Sequence, residues 1–149
     1  MNRRGMTLIE LLVTLTLIGI LANLALPAYS ALRRRAEAAR VVGDLGAMRV
    51  AALDYYAEHN RFPASGQWGV APQTLISELP QGFEWHYRNV DYRWERWSLP
   101  NGLPTNPSQT VLLGLSVRTS DLNLMAAVRG LYRGQVAFGS SNQITFVIE

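Results

Sequence analysis

The sequence predicts an α+β fold in which one long N-terminal helix, apolar in its first half and amphipathic in its second, packs on a C-terminal antiparallel sheet. Three observations carry this. Residues 6–28 hold a single charge, Glu10, in a run dominated by Leu, Ile, Ala and Val. Ala38, Val41, Leu45, Met48, Ala52 and Tyr55 then recur at alternating steps of three and four, which places them on one helix face. From residue 83 onward, aromatic residues alternate with the period of two that marks strands. A chain of 149 residues, 48% of them hydrophobic, suffices for one domain with a modest core and excludes a large enzyme.

The apolar run comes first. As a helix rising about 1.5 Å per residue, its 23 residues reach roughly 34 Å, enough to cross a hydrocarbon layer of about 30 Å once. Arg3 and Arg4 precede it and Arg33, Arg34 and Arg35 follow it, so a count of flanking cations leaves the orientation undecided. Glu10 lies about one turn inside, where a carboxylate costs a few kcal/mol unless it sits at headgroup depth, is protonated, or meets a cation. Pro27 removes the hydrogen bond to the Asn23 carbonyl and crowds that turn, which predicts a kink or a helix end at the membrane surface. Gly19 suits a close helix–helix contact or mere tolerance of glycine in lipid. A cleaved secretory signal is the competing reading, with residues 27–31 as its processing zone. Against it, the run exceeds the usual 7–15 residues and Glu10 interrupts its start.

Residues 4–10 read R-G-M-T-L-I-E and continue L-L-V-T-L-T-L-I-G-I-L-A-N-L-A-L-P-A-Y. This resembles the N-terminal signature of type IV pilins and type II secretion pseudopilins, although phenylalanine is commoner than methionine after the glycine. The resemblance implies that a prepilin peptidase cuts between Gly5 and Met6 on the cytoplasmic side, and that the new N-terminus at Met6 is methylated. Glu10 then becomes the fifth residue of the mature chain, where the family keeps a glutamate. It further implies a leader at 1–5, a transmembrane or filament-core helix at 6–28, its amphipathic continuation at 29–60, and a globular head at 61–149. The implied partners are copies of the chain and other pilin-like subunits, the prepilin peptidase, an inner-membrane assembly platform and membrane lipid. The implied location is the inner membrane, with the N-terminus cytoplasmic and the head outside. Physically, the amino group freed by cleavage can neutralise the Glu10 of a neighbouring subunit in an apolar setting. An anchored binding protein that never polymerises and a secreted soluble domain are the alternatives.

The rest of the chain follows in order. No proline occurs from 28 to 62, so helix is expected through about residue 59, as one helix or as two broken at Pro27. Turn residues at 60–66, with Phe62 before Pro63, end it. The stretch Y-Y-A-E-H-N-R-F-P-A-S resembles the corresponding helix end of pseudopilins and minor pilins. Residues 74–79 suit a short helix or turn that points Leu75, Ile76 and Leu79 inward. Strands are expected at 83–90, with Phe83, Trp85 and Tyr87 on one face, and at 92–99, with Tyr92 and Trp94 in phase and Trp97 out of phase. A turn at 89–91 would join them. Residues 110–118 suit a central strand, Ser120 or Asp121 can cap a helix running to about 132, and 135–138 and 143–148 read as a hairpin. A helix ahead of the last two strands leaves the sheet order open.

Composition narrows the chemistry. Cysteine is absent, which excludes disulfides, thiolate metal sites and thiol nucleophiles. All 14 basic residues are arginine, and the formal charge of +3 is too small to argue for nucleic acid. His59 and His86 lack metal-site spacing, and neither a nucleophile elbow nor a phosphate loop is present, so no enzyme is expected. Asp121 and Glu149 fall far short of the six or more oxygens calcium takes, so no metal or cofactor is expected. Arginines interleaved with aromatics at 85–97 make Arg88, Arg93, Trp94 and Arg96 candidates for nucleic-acid or subunit contact. Period-two alternation accounts for that cluster without a ligand, and nucleic acid is not expected as a partner. Arg33, Arg34 and Arg35 suit anionic headgroups at about 1 kcal/mol each, or a solvated face, since consecutive helix residues point in different directions.

Overall fold

Helix α1 (Leu8–His59) starts at Thr7, whose side chain caps the first turn, and runs for 52 residues. The computed structural model describes residues 7–103, 106–132 and 136–148. The leader, the expected cleavage and methylation residues Gly5 and Met6, and Glu149 lie outside the described residues. α1 passes through Pro27 without ending, so the alternative of two helices broken there is not adopted. The helix stops where Asn60 takes a left-handed conformation (φ 49°) and its N–H donates to the Tyr56 carbonyl at 2.8 Å. Tyr56 and Phe62 stack across that turn at 4.3 Å.

The two halves of α1 meet different surroundings. Every residue from 7 to 29 is exposed, whereas Ala38, Val41, Leu45, Met48, Ala52 and Tyr55 are buried along the expected stripe, joined by Ala51. What covers that stripe is a five-stranded antiparallel sheet of order β1-β2-β3-β5-β4 and a second helix. The strands are β1 (His86–Tyr87), β2 (Val90–Ser98), β3 (Val111–Thr119), β4 (Val136–Gly139) and β5 (Gln143–Ile148). Helix α2 (Leu122–Leu131) is capped by Asp121, which accepts from the N–H groups of Asn123 and Leu124, and buries Leu124, Met125 and Val128 in the same core. From β3 the chain crosses through α2 to edge strand β4 and returns by a hairpin, so β5 lies between β3 and β4. That crossover is the sheet order the sequence left open.

Register explains the core. Trp94 opposes Leu115, which opposes Phe146, and Tyr92 opposes Val117, which opposes Ile144; all six are essentially inaccessible. The next residues along each strand face the other side, where Trp97 lies over Gly114. A Cβ on Gly114 would meet the Trp97 ring at 2.6 Å, so any larger residue there would have to displace the indole. Beside it, Glu95, Ser116 and Thr145 are buried and bonded to one another through the Ser116 hydroxyl, at 2.6 Å to each neighbour, with Arg93 3.1 Å from Glu95.

Three local expectations change. The first strand is only two residues long, because β2's outer edge is taken over by residues 65–69: the Gly66 and Gly69 N–H groups donate to the Trp94 and Tyr92 carbonyls at 2.9 Å. The joining turn falls at Arg88–Asn89 rather than 89–91, which lets Val90 enter the core beside Tyr92, and Arg88 takes the positive φ (55°) that two-residue hairpins demand. Residues 73–75 form one 3₁₀ turn that buries Leu75 and half-buries Leu79 but leaves Ile76 half exposed.

Candidate functional site: the N-terminal segment

The first turn of α1 is a reciprocal cap. The Glu10 carboxylate accepts from the Thr7 backbone N–H at 2.8 Å and from the Thr7 hydroxyl at 2.9 Å, while the Glu10 N–H donates to the Thr7 Oγ1 at 3.3 Å. Two otherwise orphaned backbone donors at the helix start are satisfied this way, and the carboxylate stands at the positive end of the helix dipole. Sequence reasoning named Glu10 and asked for its partner; it missed Thr7, although T-L-I-E ahead of an apolar run is the signature of this cap. In the isolated chain, Thr7 thus supplies the hydrogen bonds that a carboxylate near lipid requires.

Behind Glu10 the helix offers one continuous apolar surface. Leu8, Leu12, Leu15, Leu21, Leu24 and Leu26 are each more than half exposed, and a Cβ added at Gly19 would touch nothing within 4 Å. Thr14, Thr16 and Ser30 return their hydroxyls to carbonyls three residues back, at 2.8, 2.8 and 2.9 Å, so they add little polarity to that surface. Monomeric soluble proteins rarely expose an apolar patch of this size, and such patches mark surfaces that meet a membrane or another protein. The helix is long and apolar enough to cross a membrane.

The other candidates sit on the head and are engaged within it. Trp94 is wholly buried and its indole N–H donates to the Pro63 carbonyl at 3.0 Å, so its ring is not presented for stacking. Arg93 donates to the Gly66 carbonyl at 3.2 Å and lies over Trp68, and Arg96 donates to the Phe62 carbonyl at 3.1 Å. Arg88 pairs with Glu37 of α1 at 3.4 Å. The structure therefore separates these residues: Arg93 and Arg96 fasten the 62–66 loop onto β2, and Arg88 ties the hairpin turn to α1. Trp68, unremarked in the sequence, also covers Arg118 at 4.8 Å.

Asp91 joins two basic residues of neighbouring strands. It accepts from Arg118 at 2.7 Å and meets His86 Nδ1 at 2.6 Å. Burial alone would raise its pKa, but the hydrogen bonds and charges of Arg118 and His86 outweigh that and hold it below the ordinary aspartate value. Tyr92, by contrast, is pushed well above the ordinary tyrosine value, first by burial and then by its 2.7 Å hydrogen bond to the Asp44 carboxylate. Among the described residues no three His, Asp or Glu side chains are grouped to hold a metal ion.

Residues 1–22 match the family described as the prokaryotic N-terminal methylation motif. The chain is also similar to a fimbrial protein of Neisseria meningitidis serogroup A, at 36% identity over 50% of this chain and 44% of the relative. It is 36% identical to the type IV major pilin protein PilE1 of Neisseria gonorrhoeae over 46% of this chain and 32% of that one. It is 34% identical to the type II secretion system core protein G of Klebsiella pneumoniae, over 51% of this chain and 52% of that one. The chain thus spans about a third to a half of the length of these relatives. No solved structure is significantly similar to it.

Proposed function

We propose that this chain, whose methylation motif at residues 1–22 runs into a helix that is apolar and exposed through residue 29, is a structural subunit of a type IV pilus-like or type II secretion pseudopilus filament. The observation that carries the reading is Glu10: an acid capped at the start of a helix that is otherwise apolar for some twenty residues. In this reading residues 1–5 are a leader removed by prepilin peptidase, Met6 is the methylated N-terminus, and residues 6–28 wait in the inner membrane with the head, 61–149, outside the cytoplasm. Residues 29–60 continue the helix under the head, and Pro27 marks where it can bend. The assembly platform then draws the subunit into a helical stack in which its Glu10 meets the cationic N-terminus of a neighbour. Its work is assembly and not catalysis.

Once both groups lie in an apolar setting, neither can be left alone cheaply. Removing one member of a buried ion pair leaves the other unpaired, at a cost of about 3–5 kcal/mol. Glu10→Ala is therefore expected to leave leader cleavage intact and to abolish filament assembly, measured as processed protein in membranes against sheared filament yield. Normal filament yield from Glu10→Ala would contradict the proposal.

A further inference from the structure

The end of the head nearest the apolar helix is cationic, and its cations come from two separate parts of the chain. Arg33, Arg34 and Arg35 are exposed on α1 about six to eight residues past Pro27, roughly 9–12 Å along the helix. Among the described residues none of the three pairs with a carboxylate. Consecutive positions point apart, and the fold uses this. Arg33 and Arg34 line a groove of about 360 Å³ with Arg88 and Asn89 of the β1–β2 turn, while Arg34 and Arg35 line the neighbouring groove along α2. The result is a collar around the helix where it enters the head. Two acids border the first groove, and both are engaged: Glu37 with Arg88 at 3.4 Å, and Asp121 with the α2 backbone at 2.9 and 3.0 Å.

We propose that this collar is a docking surface for the phosphate headgroups of anionic phospholipid, and that it lays the head on the membrane while the subunit waits to assemble. The inference rests on the reading that residues 8–29 span the bilayer. Covalent continuity then places Arg33–Arg35 within one or two helix turns of the hydrocarbon boundary, where anionic lipid attracts cations. The partner is chosen by charge and by place: the collar faces the surface from which its own helix emerges. Extraction into a filament must break these contacts, so the collar sets a threshold for release from the membrane.

The chain has no cysteine, which makes single-cysteine probes clean. The full mature chain carrying Ser120→Cys, at the exposed β3–α2 loop, would be labelled with a fluorophore and reconstituted in vesicles containing a headgroup-quencher lipid. One set is pure phosphatidylcholine and the other contains phosphatidylglycerol. The expected result is quenching that appears with phosphatidylglycerol, fades as salt rises, and falls about fivefold in docking equilibrium for each arginine removed in Arg33→Gln and Arg33→Gln/Arg34→Gln. Millimolar inorganic phosphate should leave it unchanged; loss at that concentration would make the collar a free-phosphate site and overturn the lipid assignment. Equal quenching in pure phosphatidylcholine would also overturn it, as would quenching that scales with protein density, which would give the surface to a second copy. A second probe, Ile18→Cys with an acyl-chain quencher, separates the layers. If it is quenched while Ser120→Cys is not, the head stands clear of lipid and only the collar proposal falls; if it is unquenched, the spanning reading falls with it.

Discussion

Asp91 shows how single residues tune the head. Its pKa is lowered in the folded chain, so the ionised form is bound more tightly by the folded state than by the unfolded one. The stability it contributes is complete above the unfolded aspartate value, near 4, and is lost as pH falls through that value toward the lower folded one. The full chain is therefore expected to be more stable than Asp91→Asn at pH 7, with the gap narrowing as pH falls below about 4 in urea unfolding followed by circular dichroism. A gap that persists undiminished to pH 3 would mean that the Asp91 charge is not what holds Arg118 and His86. Residues of this kind divide by legibility. Glu10 and Pro27 stand out in the sequence because each violates the rule of its surroundings, a charge among apolar residues and an imino acid within a helix. The Asp91 network does not, since His86, Asp91, Arg118 and Trp68 come from four stretches that only register and the 65–69 loop bring together.

At the scale of elements, β2 shows how one strand serves both faces of the sheet. One of its faces gives Val90, Tyr92 and Trp94 to the core, and the other gives Asp91, Arg93 and Glu95 to a covered polar layer. Trp94→Ala removes a fully buried ring together with its hydrogen bond to Pro63, and is expected to destabilise the full chain by about 3–5 kcal/mol in denaturant unfolding. Arg96→Ala, on the exposed end of the same strand, should cost no more than about 1 kcal/mol. Similar losses for the two would mean that β2 does not organise the core. Elements whose pattern is local were legible: the 38–55 stripe, the central strand expected at 110–118 and found at 111–119, and the helix for which Ser120 or Asp121 offered a cap each show within fewer than twenty residues. The first strand was not, because its length is set by competition from residues 65–69 for β2's edge, and a sequence window around residue 85 contains no sign of that competitor.

The whole molecule joins a water-compatible head to a helix that water does not suit. α1 is a single element in the backbone yet two in its chemistry: residues 7–29 are exposed throughout, and the buried stripe begins only at Ala38. This division was legible because composition and periodicity change together there. The route of the chain through the sheet was not, since the order β1-β2-β3-β5-β4 follows from where α2 finds room against α1, a property of the packed molecule. The proposed life history, from anchored precursor to filament subunit, turns on the processing of the N-terminus, because in that reading cleavage frees the amino group that meets the Glu10 of a neighbour. Intact-mass and N-terminal analysis of the protein from its native membrane tests this most directly. The expected result is a chain that begins at Met6 and carries one added methyl group; a chain that begins near Ala31 would be a secreted head lacking the apolar start of α1 and would contradict the roles given to Glu10 and Pro27.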